Sequence, residues 1–281
     1  MSTAIVADSS LDIPKEYIEK YNITVIPLYV LFGNETFKDD GQDITLKDFY
    51  DRIRNGNMMP TTSQPTPGDF LEVYKELLKK YDSIINILIS KKMSGTIASA
   101  ELAVKDLPEA DITIIDSESV HMPGGFIAIK AAEMASQGKS KEEILQTIDL
   151  YKQKVKVLFI PSTLEYLKRG GRIGRANALL GSLLEIKPIL TINLGEVSPF
   201  KNTRRWTQAK AELLNTIEAM IKNPSDLTVF VGDSDMKDEG DNLGEEIKKR
   251  FNPKKLIRGD IGCIVGAHLG PGAIDATFYE D

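Results

Sequence analysis

Residues 83–89, SIINILI, are apolar except for Ser83 and Asn86, and a turn-like stretch, SKKMSGT, follows at once. A run this short and this apolar suits a strand covered on both faces, which only a sheet inside two helical layers provides. Its surroundings agree. Short apolar runs at residues 3–7 and 112–115 alternate with helix-period segments at 14–21, 44–53, 67–81, 96–104, 124–137 and 141–152. In the segment 67–81, Phe70, Val73, Leu77 and Tyr81 fall on one helical face. Strands alternating with helices predict a parallel α/β/α domain. Residues 23–32 read as one β-branched strand, with Gly33-Asn34 turning into 35–37.

The second half has a different rhythm. Strands are expected at 155–160, 189–193, 197–201, 227–231, 256–261, 264–268 and 273–279, with Leu194-Gly195-Glu196 closing a hairpin. Trp206, Ala209, Leu213, Ile217 and Met220 form a helical stripe, and a further helix is expected near 243–250. Strands this close in sequence imply antiparallel pairing, hence a mixed α/β sheet with helices on one side. The expected domains are 1–160 and 161–281.

Composition removes several function classes. With 41 acidic against 35 basic residues, the chain lacks the basic footprint of a nucleic-acid binder. One cysteine, Cys263, and two histidines, His121 and His268, exclude a disulfide framework and argue against a cysteine- or histidine-rich metal site. Asp-Ser pairs end three strands, at 8–9, 116–117 and 233–234. Without a recognised ligand spacing they read as caps and turns, so no metal is expected. MSTAIVADSS lacks a signal-peptide pattern, and no apolar run reaches the ~20 residues that span a bilayer, so a cytoplasmic location is expected.

Four stretches carry candidate chemistry. In MPTTSQPTPGDF, prolines fix a backbone bearing Thr61, Thr62, Ser63 and Thr66; these hydroxyls are either loop and cap residues or uncharged donors to a ligand. Ser94-Gly95-Thr96 follows a strand and opens a helix. Ser94 sits where an N-cap would, and the same place favours an anion. His268, in IGCIVGAHLGPG, is either a satisfied structural histidine or a donor to an anion, charged if protonated. His121 has weaker claims and reads as a loop residue. Lys168, Arg169, Arg172 and Arg175, between glycines, form a solvated surface, a phosphate site or a protein-docking patch, to which Arg204-Arg205 could add. The apolar segments 178–184 and 186–190 are either core or the wall of a ligand cavity.

Taken in order, TTSQPTP, SGT, LEYLKRGGRIG, LLEIKPIL and GAHLGPGA resemble the DegV family of bacterial fatty-acid-binding proteins, over essentially the whole chain. The resemblance implies a two-domain fold with a long-chain acyl group in an apolar tunnel between the halves. It implies that Ser94 and Thr62 hydrogen-bond the ligand carboxylate, with His268 close by and Thr61, Ser63, Gly95 and Thr96 in support. Arg172 resembles a residue that contacts a fatty acid kinase, with Lys168 and Arg169 beside it. Arg204 falls on the arginine of a V-R-T-x-K-K-A pattern from which Thr203, Arg205, Thr207 and Gln208 depart. The implied role is that of a non-catalytic partner: it presents the acid to the kinase catalytic subunit, which makes acyl phosphate for phospholipid synthesis. No cofactor is implied, and a transient contact with a membrane surface is compatible with it.

Elementary energetics suit that role. About fifteen buried methylenes at ~0.8 kcal/mol each supply on the order of 10 kcal/mol, so the tail provides affinity. The head then needs hydrogen bonds to offset desolvation, and hydroxyls give them without a fixed cation. Two alternatives remain: a serine-type lipid hydrolase using Ser94 and His268, although Ser94 is not in a G-x-S-x-G elbow, and a regulatory module with a structural lipid.

Overall fold

The computed structural model of the protein describes residues 2–56, 59–180 and 186–281. The chain forms two compact units, Met1–Gln153 and Lys154–Asp281. In the first, β1 (Thr3–Asp8), β2 (Thr24–Ile26), β6 (Ser83–Leu88) and β7 (Ile112–Asp116) make a parallel sheet in the order β2-β1-β6-β7. Every residue of β6 is buried. Ile84 and Leu88 pack with Phe70 and Tyr74 of α3 (Pro67–Leu77) and with Ile97, Ala100 and Ala103 of α4 (Thr96–Lys105). Asn86, the polar residue inside this run, spends its Nδ2 on the Tyr74 hydroxyl at 2.5 Å, tying α3 to the strand. The opposite face meets α5 (Met122–Ser136), which packs on β1 and β6 and against α1 (Lys15–Tyr21). The expected α/β/α arrangement is therefore present.

Two features of this unit differ from expectation. The apolar stretch 23–32 is two strands, not one. Pro27 offers no N–H to a ladder, and the chain leaves β2 to begin β3 (Tyr29–Phe32) in another sheet. That second sheet is antiparallel, in the order β4-β3-β5, with β4 (Glu35–Lys38) and β5 (Thr61–Ser63) on either side of β3. Helix α2 (Leu46–Asn55) covers it: Phe49 meets the Phe32 ring edge-on, and the Arg52 guanidinium lies over Phe32 and Phe37. Helix α6 (Lys141–Lys154) closes the unit.

The second unit is built on one six-stranded sheet, β10-β9-β8-β13-β11-β12. Its strands are β8 (Lys156–Ile160), β9 (Lys187–Asn193), β10 (Glu196–Thr203), β11 (Leu227–Ser234), β12 (Lys255–Asp260) and β13 (Ala273–Glu280). Only β11 and β12 pair in parallel, so the sheet is mixed, as expected. Because β8 pairs with β13 and β9, it belongs to this unit, although a division at residue 160 puts it in the first. One face carries Leu158, Ile160, Ile189, Val229, Val231, Ile274 and Ala276, covered by Leu213 and Ile217 of α8 (Trp206–Met220) and Leu243 and Ile247 of α9 (Lys237–Phe251). Leu194 and Gly195, both at positive φ, form the two-residue turn between β9 and β10. Edge strand β10 is interrupted between Pro199 and Lys201, where Phe200 is exposed.

Residues 264–268 are not a strand. They lie in helix α10 (Cys263–Leu269), which packs against α7 (Glu165–Arg169). A short apolar run reads equally well as strand or buried helix. Among the described residues no helix is long and apolar enough to cross a membrane. Leu213→Ala, at the centre of the second core, is expected to cost about 2–5 kcal/mol. Met220→Ala, at the exposed end of the same helix, is expected to stay within about 0.5 kcal/mol. Urea unfolding of both variants checks the ordering.

Candidate functional site

The hydroxyl-rich stretch of the first unit is a strand followed by a cap. Thr61–Ser63 is β5, with Val30 of β3 opposite Thr62. Alternation along the strand leaves Thr62 half-buried while Thr61 and Ser63 are exposed. Pro65 is buried beyond it, and Thr66 caps α3: Thr66 Oγ1 accepts the Asp69 N–H at 3.2 Å, and Asp69 accepts the Thr66 N–H at 2.8 Å. Thr66 is thus fully used as a cap.

The second motif is the turn after β6. Its N-cap is Gly95 rather than Ser94. Ser94 stands one residue earlier, its Oγ 2.8 Å from Thr96 Oγ1 and 3.3 Å from the Thr96 N–H that it accepts. Thr96 is buried and Ser94 half-buried, so an inaccessible hydroxyl orients an accessible one. Gln64 joins the two motifs. Its Nε2 donates to Ser99 Oγ at 3.3 Å, and a Cβ on Gly95 would stand 2.6 Å from its Oε1. Gly95 therefore leaves the space into which the Gln64 amide fits. This contact brings the segment bearing Thr61, Thr62 and Ser63 against the turn bearing Ser94. Nothing in the spacing of the sequence marks Gln64 for that role.

In the second unit the basic loop and the histidine motif are also joined by a close approach. His268 occupies the last turn of α10, and a Cβ on Gly170 would lie 2.2 Å from its Nδ1. Gly170, the residue after α7, thus admits the imidazole ring. Burial pushes the His268 pKa down to about 4, and the Arg172 charge pushes it the same way. At neutral pH the ring is then uncharged, which favours the hydrogen-bonding form of the two left open for it. Arg172 is half-buried and donates from Nη1 to Gly170 O at 2.6 Å. Lys168, Arg169 and Arg204 are exposed, and Arg169 pairs with Glu165 one turn away. Arg175 pairs with Glu196 at 2.9 Å. Ser162 Oγ and Ser234 Oγ donate to the carbonyls of Pro271 and Gly270, each at 2.8 Å, and pin the Gly-Pro-Gly turn.

The remaining candidates are structural. His121 is not a plain loop residue: it heads α5 at φ 61°, with Nδ1 2.6 Å from Asp12 Oδ2, and both side chains are buried. The Asp-Ser pairs cap: Asp116 accepts the Glu118 N–H and Asp233 the Met236 N–H, each at 2.8 Å. Among the described residues no cluster of His, Cys, Asp and Glu suits a metal ion. Of the apolar segment 178–184, Ala178 is exposed and Leu179 and Leu180 are half-buried; residues 181–185 lie outside the described residues, as do the first three of LLEIKPIL.

Comparison with known proteins gives a consistent result. The DegV family matches residues 2–281. Protein DegV of Bacillus subtilis is 34% identical over 275 residues, covering 98% of each chain. The solved structure of a fatty-acid-binding DegV family protein of Thermus thermophilus is similar over 100% of both chains, with a TM-score of 0.94 and 32% identity. A stearic-acid-binding protein of Eubacterium ventriosum is similar at TM-score 0.89 and 27% identity, covering 99% of this chain and 98% of that one.

The environment of His268 generates a prediction. Its folded pKa lies below its unfolded one, so the neutral ring favours the fold above about 6.5 and that contribution is lost as pH falls through about 4. Proton NMR of the imidazole is expected to show a midpoint near 4. Gly170→Ala, which displaces the ring, is expected to move that midpoint up towards 6.5.

Proposed function

We propose that this chain, which belongs to the DegV family, binds a long-chain fatty acid by its carboxylate through the hydroxyls of Thr62 and Ser94. The observation that carries the proposal is the Gln64 contact, which sets two uncharged donor segments side by side at the carboxyl end of a buried parallel strand. Open α/β sheets bind ligands at that edge. Solved relatives that bind fatty acids support the choice of ligand. Thr61, Ser63, Gly95 and Thr96 shape the donor surface. We also propose His268, a neutral hydrogen-bonding side chain of the second unit, as a candidate for contact with an acyl carboxylate.

Neutral donors fit a carrier. They offset the desolvation of the head without clamping it electrostatically, while the alkyl tail provides the affinity. A carboxylate held this way keeps an oxygen available for phosphoryl transfer. The chain then acts as the non-catalytic partner of a fatty acid kinase, which converts the presented acid to acyl phosphate. Lys168, Arg169, Arg172 and Arg204 form the docking and charge-neutralising surface. The serine-hydrolase alternative loses ground, because the Ser94 hydroxyl lies 2.8 Å from that of Thr96, which is no general base.

Native mass spectrometry tests the division of labour. Wild-type protein should carry a free fatty acid, and Ser94→Ala and Thr62→Ala should each retain it about tenfold more weakly, the effect of one lost charge-assisted hydrogen bond. Arg172→Ala should retain the lipid and lose kinase-coupled formation of acyl phosphate. Equal lipid loss in the serine and arginine variants would contradict the assignment.

A further inference from the structure

The parallel ladder between β1 and β6 makes its last backbone pairing at Ala7 and Ile87, yet the carboxyl end of β6 is not left loose. Asp8 continues the ladder with its side chain. Its Oδ2 accepts the Ile89 N–H at 2.7 Å, and its Oδ1 accepts the N–H of Ser10 at 3.0 Å together with the Ser10 hydroxyl. The next residue is held from the other side, where Ser90 N–H donates to Ser119 O at 2.8 Å. Ser90 O then accepts the N–H groups of Met93 at 2.9 Å and Ser94 at 3.1 Å. Hydrogen bonds at consecutive residues, joined through the Ile89–Ser90 backbone, thus connect a buried carboxylate to the backbone of Ser94.

We propose that Asp8 is a positioning residue for the carboxylate-binding turn, and that its ionised form is the one that sets Ser94 for the ligand. The proposal rests on the fatty-acid reading above. A carboxylate accepts all three hydrogen bonds; a proton on Oδ2 would face the Ile89 N–H, a proton on Oδ1 requires the Ser10 hydroxyl to reverse, and an amide sets its NH2 against one of the two N–H groups. Burial, at 1% residual exposure, raises the Asp8 pKa to about 6 against the lowering effect of its bonds to Ser10 and Ile89. Of the charged groups on neighbouring elements, Asp12 raises it further. Asp12 is itself paired with His121 at the head of α5, while Lys91 and Asp116, beyond the ends of β6 and at the end of β7, face each other at 3.6 Å. Since the folded pKa exceeds the unfolded one, protonating Asp8 favours the folded state, and its contribution to stability is lost as pH rises through about 6. Ligand affinity should move the other way and weaken as pH falls through the same value. A purely structural role would make binding and stability move together.

The test uses the delipidated full chain and radiolabelled stearate, with Kd measured between about pH 5 and about pH 8 and folding followed by circular dichroism. Stearate protonation is common to every variant, so differences between profiles isolate the protein. Asp8→Asn is expected to bind about tenfold more weakly at neutral pH and to lose the inflection near pH 6. Ser10→Ala, which keeps the Ile89 acceptor, is expected to stay within about twofold at the alkaline end. Its inflection should move to higher pH, because a bond that stabilises the carboxylate is gone. A folded Asp8→Asn protein with the wild-type profile would overturn the proposal. So would an unshifted inflection in Ser10→Ala, which decides the matter if the Asp8 variant does not fold. Wild-type protein that binds no stearate at any pH would instead overturn the ligand assignment.

Discussion

Parallel strands stop hydrogen-bonding where the shorter partner ends, and whatever follows must find other partners or be solvated. In the first unit that stop falls between a strand with no exposed residue and the turn that bears the half-buried Ser94, the proposed ligand contact. The sheet's rigidity is worth having at Ser94 only if it is carried across the gap. Side chains carry it: Asp8 from the neighbouring strand, Thr96 from the helix that begins there, and Gln64 from the loop above. Each is a polar group spending its hydrogen bonds on geometry, and together they leave the donor surface uncharged.

The second unit solves a different problem with similar means. Its cations lie in the last turn of α7, just beyond it at Arg172, and at Arg204 after β10, and the half-buried His268 ring packs against Gly170 at the end of that helix. A charged ring there would stand beside a guanidinium in a poorly solvated place, so the ring remains neutral. The exposed Lys168, Arg169 and Arg204 are well suited to a partner that arrives from solvent, since their charges cost nothing to keep hydrated. Neutral groups inside and charged groups outside is the arrangement a carrier needs if it must hold an anion loosely and be recognised firmly.

Most of this architecture was legible in the sequence, because strong periodicity reports burial directly. The run 83–89 could hardly be anything but a covered strand, and the stripe from Trp206 to Met220 could hardly be anything but a packed helix. Failures came where period carries no information. Pro27 cuts an apolar stretch that looks continuous, and IVGAHL fits a strand as well as the helix it forms. Strand β5 is three residues long and owes its existence to β3, some thirty positions earlier, so local sequence cannot announce it. The candidate motifs are visible in the sequence as motifs. What escaped was their support: a glutamine against a glycine and a carboxylate against a distant amide depend on the packing of elements, which no spacing rule contains.

Edge strand β10 has a consequence for how the molecule meets copies of itself. Proline at 199 offers no amide hydrogen, and the interruption before Lys201 twists the strand out of line with any incoming one. A second chain cannot extend the sheet there by simple strand addition, although Phe200 is exposed to attract it. The sheet is thereby guarded against growing into a fibre at that margin, and association, where it occurs, has to be built from side chains.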